Sequence, residues 1–462
     1  VGQAFNANGE QLPEMNYADN ARTSLSRPLP YSLRVLFSIF FCVACSRHPT
    51  ASPPAGTGPP VLTMMPTGEN PADLAFLLST LDQYRKRTAV QIDVPAAYDS
   101  VDDRIRLLED LFAKRSPEPD ICEIDNIWPG LLADDLVDLK PYLGDEMTAI
   151  DKSLLEAFTV NGRLVALPEF VETGVLYYRT DLLKKYGYRR PPETWDELGR
   201  MAKIIQDGER KAGAKDFWGY VWQGDEGEPL NCNALEWQRA EGAELINRAG
   251  TICANSAAAE SALRRARSWV ATISPPGVVE YDEEDSRNIW LAGSAAFARG
   301  WLDLYQPSQS SALLATRFST AHMPAGSKGY GWMFGGMGLA VSRYSRNPKA
   351  AVEVVRYLIS SAVQRQRLLA SGNVPTRTIL LSDAILLQKT GFNGWLSQHW
   401  REGMFARPSA QTGKKYAAVS RAYSKAVHRV ISGKEDAHQA LAKLQVELVS
   451  LLQSPRVASA KQ

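Results

Sequence analysis

From Val61 onward, short apolar runs alternate with stretches in which apolar residues return every three or four positions. The run VLTMM at 61–65 reads as a buried strand, and 72–87 carries Leu74, Leu77, Leu78 and Leu81 at helical spacing. Residues 90–94 repeat the strand pattern, 102–114 the helical one, and 120–124 the strand again. This βαβαβ order predicts a parallel sheet with helices on its faces. Further on, 164–167 and 174–178 read as strands. In 191–197 (PPETWDE), Thr194 and Glu197 have the spacing of a capping box, so 195–211 is expected to be helical. Helices are also expected over 257–273, 348–369 and 417–452, and a strand over 339–342 returns from the glycine-rich segment 330–338.

The first 60 residues are patterned differently. The apolar run 35–44 (VLFSIFFCVA) is ten residues long and follows Arg22, Arg27 and Arg34. That is the anatomy of a signal peptide, and it falls short of the roughly 18 residues that a spanning helix needs. The run ends Cys42-Val43-Ala44-Cys45, a lipobox-like end that makes Cys45 the expected lipidation site. Residues 1–14 are acidic and polar, and Met15 offers an alternative start. Residues 46–60 (SRHPTASPPAGTGPP) have too few apolar positions to pack and read as a tether. The expected product is exported, periplasmic or at the cell surface, and held to a membrane by lipid. Such a compartment is oxidising, and beyond the leader the chain has Cys122, Cys232 and Cys253. Cys232 and Cys253 can pair, the alternative being reduced, buried thiols.

Composition adds exclusions. Lys plus Arg total 52 against 51 Asp plus Glu in 462 residues, so no basic footprint for nucleic acid exists. The five histidines are scattered, with no zinc-ligand spacing, and neither a phosphate-cradling loop nor a nucleophile elbow occurs. No cofactor and no metal are expected.

The chemistry that is present consists of carboxylates and aromatics at strand ends. Asp125 follows the third strand, and Glu172 precedes the run Leu176-Tyr177-Tyr178-Arg179. Ligands of open parallel sheets bind beyond the carboxyl ends of strands. Trp222, Trp237, Trp301, Tyr305 and Trp332 offer flat apolar faces. A sugar needs both parts, charged groups for its hydroxyls and a ring for its C–H face.

Residues 119–143 (PDICEIDNIWPGLLADDLVDLKPYL), 164–224, 231–237 (NCNALEW) and 372–377 (GNVPTR) resemble, in that order, the extracellular solute-binding proteins of bacterial ABC sugar importers. The likeness is closest to the trehalose/maltose-binding branch and spans 61–452. It implies an α/β, two-lobed periplasmic-binding-protein fold, type II-like, with a hinge and a central ligand cleft. Residues 61–170 would form mainly the first lobe and 171–335 mainly the second, with 336–462 returning to the first lobe and crossing the hinge.

The resemblance assigns ligand contacts to Glu69, Arg104 (with Arg106 as the alternative), Asp125, Phe170, Glu172, Trp301, Gly336, Met337 and Arg377. Met337 stands where the family has tryptophan and Phe170 where tyrosine is common, while Glu172 replaces a frequent aspartate. Trp332 or Phe334 is then available for the lost stacking role. The implied protein is a monomeric, non-catalytic receptor that captures a disaccharide or short oligosaccharide. It would deliver the sugar to permease subunits driven by a separate ATPase subunit. Two alternatives are an exported carbohydrate-active enzyme using Asp125 and Glu172, and a surface scaffold lipoprotein without a ligand.

Overall fold

The computed structural model describes residues 59–67, 71–95, 101–247, 249–383, 386 and 404–453. The leader, Cys45, the tether up to residue 58 and Glu69 lie outside the described residues. The strands are, in chain order, β1 (Val61–Met65), β2 (Gln91–Asp93), β3 (Ile121–Asp125), β4 (Thr159–Val160), β5 (Arg163–Leu164), β6 (Leu167–Pro168), β7 (Phe170–Thr173) and β8 (Val175–Arg179). They continue as β9 (Trp218–Val221), β10 (Ala295–Gly300), β11 (Phe318–His322), β12 (Trp332–Gly335), β13 (Met337–Val341), β14 (Val374–Pro375) and β15 (Met404–Phe405).

The first sheet has the order β2-β1-β3-β13-β6. Its β1, β2 and β3 are parallel, as the alternation predicted, but β13 runs antiparallel to β3 because the chain enters it from the other lobe. Helices Pro71–Thr88, Val101–Ala113 and Pro348–Leu358 cover this sheet through Leu77, Leu81, Leu108, Phe112, Val352 and Val355, all buried. The second sheet, β11-β8-β10-β9, belongs to the second lobe. The core behind it is rich in aromatics: Trp222 meets Trp237 at 5.0 Å, and Trp237 meets Trp269 at 5.6 Å. Trp222 and Trp237 are therefore core side chains and offer no open face.

Between these sheets lies a third, β14-β7-β12-β15. The chain leaves the first sheet at β6, pairs in the third as β7 and enters the second as β8. It returns as β11, β12 and β13 through the same three sheets. Both crossings thus place one short strand in a shared hinge sheet, where β7 and β12 pair antiparallel. The segment after residue 336 contributes to both cores. Helices Pro348–Leu358 and Ser361–Ser371 pack with the first sheet, whereas Tyr416–Ile431 and Ala437–Gln453 join Glu228–Ala240 and Ala257–Trp269 in the second core.

Helix Trp195–Lys211 matches its expected bounds. Thr194 Oγ1 accepts from Glu197 N at 3.2 Å, but the Glu197 carboxylate turns to Glu193 N at 2.9 Å and to Arg190, so only half of the expected box forms. These contacts hold the Glu197 carboxyl at about 2. The expected helix over 348–369 is two helices, because Ser360 starts a new one that ends at Gly372 with φ +82°. Cys122, Cys232 and Cys253 are all free, which removes the Cys232–Cys253 bridge; burial pushes the Cys232 thiol up to about 12. Among the described residues no helix is long and apolar enough to cross a membrane.

Candidate functional site

The sequence Gly335-Gly336-Met337 turns the chain from the hinge sheet into the first sheet, and most of the expected site residues gather on it. Met337 is the register partner of Asp125, and Gly335 that of Glu172. Gly336 has φ +111°, and a Cβ there would stand 2.4 Å from the Phe170 carbonyl oxygen. Both facts restrict the position to glycine. A Cβ on Gly335 would stand 3.1 Å from the Trp301 ring and 3.5 Å from Glu172 Cβ. The turn thus carries Asp125 on one side and Glu172 and Trp301 on the other.

On the first-lobe side, Arg104 is fully buried, 3.8 Å through Nη2 from Met337 Sδ and 5.0 Å from the Trp128 ring centroid. Arg106 is exposed and paired with Asp103. Of the two arginines that the sequence could not separate, Arg104 is the one brought to the turn. Asp125 ends β3 and accepts through Oδ1 from Ile127 N at 3.0 Å and from Arg407 Nη2 at 3.2 Å. Burial pushes its carboxyl above the ordinary aspartate range, and Arg407 opposes that shift. Asn126, the next residue, donates to the Phe334 carbonyl at 2.6 Å and ties this strand end to the hinge sheet.

On the second-lobe side, Trp301 directly follows β10 and is half-buried. Arg299 lies beneath it with Cζ 3.8 Å from the ring centroid, and Arg299 Nη2 pairs with Glu236 at 2.9 Å, both side chains fully buried. Trp301 Nε1 donates to Glu283 at 3.4 Å, and Tyr177 donates its hydroxyl to the Trp301 carbonyl at 2.7 Å. Burial pushes the Glu283 carboxyl up, with Arg299 opposing. A ring backed by a guanidinium and held at its nitrogen and its backbone is fixed in orientation.

The structure does not bring Arg377 to this group. Its Nε donates to the Ile359 carbonyl at 2.9 Å, burial lowers its pKa, and it lines a separate open pocket of about 390 Å³ with Tyr84, Glu146 and Arg356. Phe170 is buried, with Arg367 5.6 Å from its ring centroid, so its backbone at the turn, not its ring, faces the others. Trp332 and Phe334 are each 2 % exposed, Trp332 stacked on His322 and Phe334 edge-on to Phe158, so neither replaces the missing aromatic with an open face. Sequence reasoning missed Arg299, Glu236, Glu283 and Arg407; the first three lie within 63 residues of one another, and Glu236 stands inside the segment NCNALEW without having been singled out in it.

Two α/β lobes, strands that cross between them more than once, and polar and aromatic groups converging at the crossing define a receptor that holds a ligand between its lobes. The chain belongs to the bacterial extracellular solute-binding proteins, whose family profile matches residues 61–365. It is 38% identical over 374 residues, 80% of this chain and 89% of the relative, to a probable ABC transporter-binding protein of Deinococcus radiodurans. Among solved structures it is similar to the maltose-bound MalE3 of T. maritima, at 30% identity and a TM-score of 0.76, covering 85% of this chain and 100% of that one. A solute-binding protein of Thermotoga lettingae bound with α-D-tagatose has the same fold, with 21% identity and a TM-score of 0.73 over 85% and 99% of the two chains. These are binding proteins, not enzymes.

Proposed function

We propose that the protein is the exported sugar-capturing subunit of an ABC importer. It takes a disaccharide or short oligosaccharide of the trehalose/maltose kind and passes it to membrane permease subunits, the ATPase being a separate chain. The observation that carries this reading is the convergence of Asp125, Glu172 and Trp301 on the glycine turn between the lobes. Carboxylates suit hydroxyl donors, a fixed indole suits the C–H face of a pyranose, and the maltose-bound relative supports the ligand class. Arg104 and Met337 line the same turn, Glu69 is a further proposed contact, and the sugar bridging both lobes would stabilise their closed arrangement. Cys45 is the proposed lipid anchor, with the tether holding the body off the membrane.

The test is a thermal-shift panel of maltose, trehalose, longer maltodextrins, hexoses and hexitols, followed by calorimetry on any hit. A ligand that binds only the folded state raises the melting temperature. A shift with a glucose disaccharide or maltodextrin supports the reading; a flat panel contradicts it. Cys45→Ser should move the protein from the membrane to the soluble fraction with sugar binding intact.

A further inference from the structure

Arg407 lies in the sequence FARPSA just after β15, 281 residues from Asn126, and carries no signal of its own in the sequence. In the fold it is 8 % exposed and its guanidinium has three carboxylate or amide partners. Nη2 donates to Asn126 Oδ1 at 2.7 Å and to Asp125 Oδ1 at 3.2 Å, and Nη1 donates to Glu228 Oε2 at 2.7 Å. Glu228 lies in the first turn of helix Glu228–Ala240, in the second lobe, and also accepts from Tyr416 at 3.0 Å and from Ser420. Ser409 donates to the Asn126 carbonyl at 3.2 Å, which fixes the arginine's own segment to the same strand end.

The consequence lies in which oxygen of Asp125 is used. Both of its hydrogen bonds, from Ile127 N and Arg407, fall on Oδ1, and Oδ2 takes none from the described residues. A planar guanidinium held by three acceptors has one orientation, so it sets the rotation of the carboxylate that it touches. We propose that Arg407 is a positioning residue of the site, pinning Oδ1 of Asp125 so that Oδ2 faces the ligand while Glu228 ties the assembly to the second lobe. The ligand group it prepares for is a hydroxyl that donates to Oδ2. The proposal rests on the reading that Asp125 contacts the sugar.

The charged groups facing Asp125 are Arg407, Arg104 and Glu228. Two measurements are made on the full chain. The first follows the Asp125 carboxyl through a pH titration by carbon-13 NMR, its signal assigned by its loss in Asp125→Asn. The second measures maltose affinity by calorimetry, or trehalose affinity where maltose gives no heat. Arg407→Gln should raise the Asp125 midpoint and weaken sugar binding about tenfold or more, a loss typical of a charge-assisted bond. The Asp125→Asn/Arg407→Gln double variant should bind no more weakly than the worse single one. Arg407→Lys, which keeps the charge and the fold but not the planar fork, should leave the midpoint near native and still weaken binding. An unmoved midpoint in Arg407→Gln, or losses that multiply in the double variant, would overturn the positioning role while leaving the sugar site standing. A moved midpoint with full sugar affinity in Asp125→Asn would instead remove Asp125 from the site, and with it the ligand half of the proposal.

Discussion

The two sides of the glycine turn are built on different principles. On the second-lobe side, Trp301 rests on Arg299, whose charge is matched by Glu236 with both groups at 0% exposure. Behind them stands an interlocked aromatic core of Trp195, Trp222, Trp237 and Trp269. On the first-lobe side, the equivalent place is filled by Met337, an adaptable thioether beside Arg104, and by an aspartate with one oxygen held and the other taking no hydrogen bond from the described residues. One side is a prefabricated platform, and the other leaves room for variation in the ligand. Under the proposed function, the Trp301 side recognises a sugar ring as such and the side of Asp125 and Met337 discriminates among sugars.

Substitutions at the two sides should fail in different ways. The largest expected effect is that of Arg299→Met, which strands Glu236 as a buried, unpaired carboxylate. Breaking such a pair costs about 3 to 5 kcal/mol, read as a lower urea midpoint without any sugar present. If the variant is as stable as the native protein, the platform is not held by this pair.

Trp301→Ala should do the reverse. Sugar affinity should fall by about 2 kcal/mol or more, as for an aromatic anchor, while the urea midpoint moves little because the ring is half-buried. Trp237→Ala supplies the control, since a fully buried tryptophan should cost about 3 to 5 kcal/mol of stability. A Trp301→Ala variant that unfolds like Trp237→Ala, yet binds sugar normally while folded, would make Trp301 a packing residue.

The two carboxylates, Asp125 on the first-lobe side and Glu172 on the other, are expected to respond to a similar or smaller extent, Asp125 with a dependence on pH. Asp125→Ala and Glu172→Ala should each weaken sugar binding by about 1.5 to 3 kcal/mol, measured by calorimetry. Burial raises the Asp125 carboxyl above its ordinary value of 3.8. An ionised acceptor is lost on acidification, and the upward shift makes that loss set in at a higher pH than for an ordinary aspartate. Affinity that stays flat on acidification would contradict an ionised Asp125 at the sugar. The smallest effect is expected far from the turn: Thr194→Ala removes a helix cap, costs about 1 kcal/mol of stability and leaves affinity unchanged.

What the sequence made legible follows the reach of each interaction. Helix Trp195–Lys211 was readable to the residue because its cap and its amphipathic face are local. The crossing β6-β7-β8 was legible only as strand-like patches, since pairing with β12 and β13 more than 160 residues away decides which sheet each patch joins. Asp125 and Glu172 could be singled out by their place at strand ends, and Trp301 as one of five flat aromatic faces and by the family resemblance. The Arg299 pedestal was hidden because its partner Glu236 lies 63 residues earlier, inside the noted segment NCNALEW but with nothing local to mark it as the partner of an arginine. Arg407 was hidden for the same reason on a longer scale. Arg377 shows the opposite failure: the motif GNVPTR is present, yet the side chain turns to the Ile359 carbonyl at 2.9 Å instead of to the glycine turn.

The most direct measurement is a crystal structure of the protein with whichever panel sugar raises its melting temperature most. The account places one sugar ring on the face of Trp301 and a hydroxyl on Oδ2 of Asp125, with Glu172 bonded to the same molecule. A sugar found instead in the open pocket beside Tyr84, Glu146, Arg356 and Arg377, with the glycine turn empty, would contradict it.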